Sequence, residues 1–212
     1  VSEAVSETKI LGIDPGTRVA GYGVVAITPS GTLRAVSVGA WRLDEKQSLA
    51  ARLAMLAIEF RRVVALHKPD IVCVELPFVS NNARSALVLG TARGVILSES
   101  YQCGLGIAEI AATSAKKTIT GNGYAEKERV MRTLQALLKA DLSELPYDAT
   151  DALAIAYAHA MRMRSDSILN SGKAADVGRN AVLQEWAESR KRGKLSMKSF
   201  ARTLVSSRGS ES

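Results

Sequence analysis

The sequence predicts an α/β fold in which a mixed five-stranded sheet carries helices on both faces. Three observations lead there. Three apolar, strand-length runs open the chain, separated only by tight turns. Helix-period and strand-like segments then alternate up to about residue 111, and helical period dominates from there to about residue 164. The order βββαβαβααα implies antiparallel hairpins at one side of the sheet, parallel strands beyond them, and helices above and below.

Residues 9–14 read as a buried strand, closed by the turn Asp14-Pro-Gly-Thr17, in which Pro presets φ and Gly supplies a positive one. Residues 19–28 are a second strand, Pro29-Ser-Gly31 a second turn, and residues 32–42 a third strand. Residues 47–67 switch to helical period, with Leu49, Leu53, Leu56, Phe60, Val63 and Val64 on one stripe. Lys68-Pro69-Asp70 breaks that helix ahead of strand 71–75. A long helix over 81–102 and a fifth strand over 105–111 follow, then helices over 113–119, 125–139 and 146–164. We expect a disordered extension over 1–8, one folded domain over 9–164, and a basic extension over 165–212 that is partly helical or disordered.

The 212 residues, 47% of them hydrophobic, suit one globular domain with an appendage. No apolar run approaches the roughly 20 residues needed to span a bilayer. The start, Val1-Ser-Glu-Ala-Val-Ser-Glu-Thr8, is polar and acidic, unlike a secretory signal. Cys73 and Cys103 lack metal-type spacing and read as free thiols, which points to a cytoplasmic location. A net charge of +7 favours a polyanionic partner, most often nucleic acid.

Four acidic residues stand out against that basic background. Asp14 and Glu75 each end an apolar strand, where a carboxylate is costly to desolvate unless it is paired or binds a cation. Asp148 and Asp151 lie at i and i+3 in the first turn of a helix and face the same side. Singly, each has a structural reading: a turn former for Asp14, and a dipole-stabilised first turn for the helical pair. Jointly they read as hard oxygen ligands for Mg²⁺ or Mn²⁺. The helix after Asp151 continues Ala-Leu-Ala-Ile-Ala, small enough to pack closely against another element. His159 reads as a packing histidine and His67 as a helix-end residue.

Four stretches carry more than the acids alone: Ile10-Leu-Gly-Ile-Asp-Pro-Gly-Thr-Arg-Val-Ala-Gly-Tyr-Gly-Val-Val25, Val74-Glu-Leu-Pro-Phe-Val-Ser-Asn-Asn-Ala-Arg-Ser-Ala-Leu-Val-Leu-Gly-Thr-Ala-Arg-Gly94, Ala115-Lys-Lys-Thr-Ile-Thr-Gly-Asn-Gly-Tyr-Ala-Glu-Lys127 and Asp148-Ala-Thr-Asp-Ala-Leu-Ala-Ile-Ala156. Together they resemble the RuvC family of bacterial Holliday-junction resolvases. The resemblance runs from about Ile10 to Arg164 in family order. It implies an RNase H-like fold, a homodimer, a four-way DNA junction as substrate, and paired symmetric nicks. It implies Asp14, Glu75, Asp148 and Asp151 as catalytic, metal-holding acids. It further implies Lys116 and Lys127 as catalytic cations on the scissile backbone and Phe78 as a base-stacking aromatic. Lys117, Asn81 and Arg84 become further DNA contacts. Two Mg²⁺ ions per site, with Mn²⁺ able to substitute, would stand about 3.5–4 Å apart in such chemistry. The resemblance leaves open whether a branch-migration motor complex directs the enzyme.

Three alternatives remain at this stage. A related RNase H-like nuclease acting on RNA shares Asp14-Pro-Gly-Thr17, and a junction-binding protein without catalysis shares the basic charge. A sugar-kinase or chaperone-type ATPase shares the Gly12-Ile-Asp-Pro-Gly-Thr17 loop but needs a second phosphate loop, for which the chain has no room.

Overall fold

The computed structural model describes residues 7–76 and 83–171. Ten elements follow in chain order: β1 (Thr8–Asp14), β2 (Val19–Ile27), β3 (Leu33–Arg42), α1 (Leu49–His67), β4 (Ile71–Glu75), α2 (Ala83–Gln102), β5 (Gly106–Ile110), α3 (Ala112–Thr120), α4 (Lys127–Leu138) and α5 (Tyr147–Ser171). The sheet has the order β3-β2-β1-β4-β5. β1, β2 and β3 pair antiparallel, and β4 and β5 run parallel to β1. The expected hairpin side and parallel side are both present.

Period-two alternation divides the core into two layers. Ile10 and Val25 face α3, α4 and α5, together with Ile71 and Cys73. Leu11, Ile13, Val24, Val72 and Val74 face α1 and α2, where they meet Leu56, Phe60, Ala92 and Ile96. The helix–helix contact on that second face carries an ion pair as well. Arg61 of α1 forks onto the buried Glu99 of α2, with nitrogens 2.5 and 2.7 Å from its two carboxylate oxygens.

Helix boundaries follow local chemistry. The Ser48 hydroxyl accepts from the Ala51 amide at 3.2 Å and caps α1. Lys68 ends it in the left-handed region at φ 50°, donating its N–H to the Val64 carbonyl. α5 runs to Ser171 rather than stopping at 164, because no helix breaker follows until Gly172. The N-terminal boundary also moves. Thr8 already pairs with Ile27, and the Arg34 guanidinium holds Glu7 at 2.6 Å, so both belong to the sheet side of the chain. The remainder of both expected extensions lies outside the described residues.

One contact sets the height of α5 above the sheet. A Cβ placed on Gly12 would stand 2.1 Å from the Ala152 carbonyl oxygen. One on Gly21 would stand 1.8 Å from the Asp148 carbonyl oxygen, and one on Gly23 would stand 2.5 Å from the Leu153 Cα. Each of these is backbone, which has no rotamer to escape into. The glycines of β1 and β2 are therefore a seat on which α5 rests, and Ala149, Ala152 and Ala156, all buried, are its matching small side chains. Replacing Gly21 with Val should lift the start of α5, lower stability by at least about 1–3 kcal/mol, and reduce Tm accordingly. Thermal denaturation of the purified variant checks this, and an unchanged Tm would mean that the helix is not seated there.

Candidate active site

Both strand-end acids project toward α5. On β1, Gly12 faces α5 whereas Leu11 and Ile13 face α1 and α2, so Asp14 falls on the α5 side. On β4, Cys73 faces α5 whereas Val72 and Val74 face away, so Glu75 falls on the same side. The parallel register pairs Ile13 with Val74, which sets Asp14 and Glu75 side by side one step further on. Across the other edge of β1, Asp14 pairs with Gly21, the residue beneath the Asp148 backbone. Asp151 follows on the next turn of α5 and presents the same face. The turn after Asp14 is braced from below: Thr17 is buried, and its carbonyl accepts from the Arg52 guanidinium at 2.7 Å.

Two lysines close on this cluster. Lys127, the first residue of α4, places Nζ 2.5 Å from Asp151 Oδ2 and 5.7 Å from the centre of the Tyr147 ring. Lys116 on α3 is half-buried and acts on Glu75 through its charge. Lys117 is exposed, and one helical step of about 100° separates it from Lys116.

The electrostatics are those of acids crowded together and half or more buried. Burial, with the Glu75 charge and hydrogen bond next, pushes the Asp14 carboxyl up to about 8, and Asp151 and Asp148 add to the effect. Burial also raises Glu75, opposed by its hydrogen bond with Asp14 and by Lys127 and Lys116. Asp14 therefore carries the proton and donates it to Glu75. At Lys127, burial works against the ammonium, but the Asp151 hydrogen bond and the field of Asp151, Asp14 and Asp148 outweigh it, so its pKa is raised and it stays charged.

Among the described residues, no three His, Cys, Asp or Glu side chains form a ready-made metal cage. Asp14 and Glu75 bond each other, and Asp151 bonds an ammonium. Such a set nonetheless fits a hard divalent cation. Its donors are carboxylate oxygens, and the excess negative charge is held down by a shared proton and one lysine. Cys73 sits in the core with its thiol pushed up to about 12 by burial. His159 responds to burial and to Arg162 and Asp166, which hold its pKa low overall, and none of the four acids acts on it.

The structure thus brings together Asp14, Glu75, Asp148, Asp151, Lys116 and Lys127. Phe78 and Asn81 lie outside the described residues, as does the side chain of Arg84. Two contributors escaped the sequence reading. Tyr147 contacts Lys127, and its only signal was an aromatic immediately ahead of an acidic first turn. Arg93 of α2 reaches back to the Glu75 carbonyl at 3.4 Å while pairing with Glu109 of β5. It lay hidden because nothing local links residues 18 apart.

The chain is similar to known proteins over most of its length. Residues 10–159 match the family model described as crossover junction endodeoxyribonuclease RuvC. The chain is 42% identical over 153 residues to the crossover junction endodeoxyribonuclease RuvC of Azoarcus sp. strain BH72, covering 72% of this chain and 82% of that one. It is 40% identical over 164 residues to that of Bdellovibrio bacteriovorus, covering 76% and 94%. Among solved structures, Thermus thermophilus RuvC in complex with Holliday junction substrate superposes with a TM-score of 0.70 at 26% identity, covering 76% of this chain and 97% of that one.

The protonated Asp14 makes a pH prediction. Its folded pKa lies above its ordinary value of 3.8, so the stability it contributes is full below that value and is lost as pH climbs to about 8. In chelator, the wild type should therefore lose Tm across that range. Asp14→Asn should flatten the slope and melt higher than wild type at the alkaline end, by about 2–4 °C for each kcal/mol relieved. Parallel Tm–pH profiles for the two proteins would contradict it.

Proposed function

The chain belongs to the RuvC family of crossover junction endodeoxyribonucleases, and from that premise we propose how its residues resolve a four-way (Holliday) DNA junction by paired, symmetric, metal-assisted nicks. The carrying observation is the convergence of two strand-end acids with the α5 pair under two lysines. Asp14, Glu75, Asp148 and Asp151 would hold Mg²⁺, or Mn²⁺ in its place, as two ions per site, which would supply charge neutralisation and an activated water for attack on the phosphodiester.

The protein's own groups do the rest. Asp14 sits on β1, the central strand of the sheet, with Glu75 on the neighbouring strand and the α5 pair beside it, and would hold the metal together with them. Lys116 and Lys127 meet the scissile phosphate and neutralise charge that develops on it. Lys117 and Arg84 add backbone contacts, and Asn81 and Phe78 meet the junction, with Phe78 stacking on an unpaired base.

Symmetric cutting needs two such sites in fixed opposition, hence a homodimer. The outer face of α2 supports this reading. Leu87 is 73% exposed, and a Cβ on Gly90 or Gly94, one and two turns further along the same face, would meet nothing within 4 Å. That face is open to close approach by a second copy. A junction-cutting enzyme works where the DNA is, and we place this one in the cytoplasm with it; no helix among the described residues is long and apolar enough to cross a membrane.

The test is product mapping on a synthetic four-way junction in Mg²⁺. Wild type should give two opposed, ligatable nicks. Asp14→Asn should abolish cleavage while retaining junction binding in a gel-shift assay, and turnover at the wild-type rate in that variant would remove the acid from the chemistry.

A second substitution tests the aromatic. Phe78→Ala forfeits stacking of roughly 1–3 kcal/mol per base and should impair cutting more than binding. Equal cleavage rates for Phe78→Ala and wild type would discard the stacking role.

A further inference from the structure

Lys127 occupies an unusual place for an ammonium. It is the first residue of α4, where the helix dipole is positive and a cation is disfavoured. Helix stability therefore does not account for it. Two contacts from α5 compensate: Asp151 Oδ2 at 2.5 Å and the face of the Tyr147 ring at 5.7 Å. The ring is not held there by core burial, because Tyr147 is 50% exposed. It precedes Asp148 directly, so the same close-seated helix turn that presents the acids also presents the ring.

We propose that Tyr147 is a positioning residue for Lys127, its ring face fixing the ammonium at the rim of the acid cluster independently of Asp151. Asp151 cannot hold this lysine and a divalent cation with the same oxygen at full strength. When Asp151 turns to a cation, the ring is the contact that remains to Lys127. An aromatic face attracts an ammonium without neutralising it, so the lysine keeps its full charge for an incoming phosphate. A carboxylate in the place of Tyr147 would instead compete with that phosphate. The inference rests on the reading of Lys127 as the phosphate-facing cation, but the contact itself exists without substrate or metal.

Two measurements on the full-length protein test it. The first uses metal-free protein with isotopically labelled lysines, observed by NMR. The ε-methylene protons of Lys127 should be shielded by the ring in wild type and in Tyr147→Phe, and should move to the position of ordinary lysines in Tyr147→Leu. The same Lys127 signal in wild type and Tyr147→Leu would overturn the proposal. The second is single-turnover cleavage of a four-way junction at saturating enzyme. Tyr147→Leu should slow it roughly 3- to 30-fold, Tyr147→Phe should restore it, and in a Lys127→Met background the Leu change should have no further effect. Additive losses in the double variant would show that the ring acts elsewhere and would also overturn the proposal. Were wild type to leave junctions uncut, the junction-resolving reading would fail, and the NMR shift alone would still decide the contact.

Discussion

Helix α5 can lie on the sheet only because residues beneath it lack side chains. A helix normally stands off a sheet by the thickness of two layers of side chains, and that distance would leave Asp148 and Asp151 too high to meet acids at strand ends. Gly12, Gly21 and Gly23 remove one of those layers, and the alanines of α5 thin the other. Backbone then meets backbone, and the helix is located by hard contact, not by adjustable packing. Everything chemical in the molecule inherits its geometry from that seat. Asp14 belongs to the strand carrying Gly12, its cross-strand partner is Gly21, and the carbonyl above Gly21 belongs to Asp148.

Such precision gathers like charges, and the fold must tolerate them before any substrate arrives. It does so in two ways. Asp14 and Glu75 share a proton, which removes one negative charge at the most buried point. Asp151 is matched by Lys127, which approaches from a different element. Proton and lysine between them offset negative charge from two sides of the cluster. The net charge of +7 fits the same logic on a larger scale: phosphate is drawn to a basic surface, while these acids are gathered at the ends of β1 and β4 beneath α5.

Much of this was legible in the residues alone. Apolar runs of strand length, bounded by turns, placed the five strands, and a carboxylate at the end of Ile71-Val-Cys-Val is difficult to explain by solvation. The i, i+3 spacing of Asp148 and Asp151 gave their common face, and the small residues that follow announced a close neighbour. What the neighbour was stayed hidden, although Gly21-x-Gly23 puts two bare positions on one side of a strand. Pairing across strands is a tertiary fact, and so are the reach of Arg93 to Glu75 and that of Lys127 to Tyr147. Helix ends were less legible than helix faces: polar residues beyond 164 looked like a tail, but backbone hydrogen bonding continues through them to Ser171.

The guanidinium of Arg93 has one further implication. It grips the Glu75 main-chain carbonyl and, through Glu109, the neighbouring edge strand, yet it originates on α2, whose opposite flank is bare and apolar. That helix and the tip of β4 are thus tied by one side chain, so a shift of α2 along its axis would reach the Glu75 peptide unit through the Arg93 guanidinium.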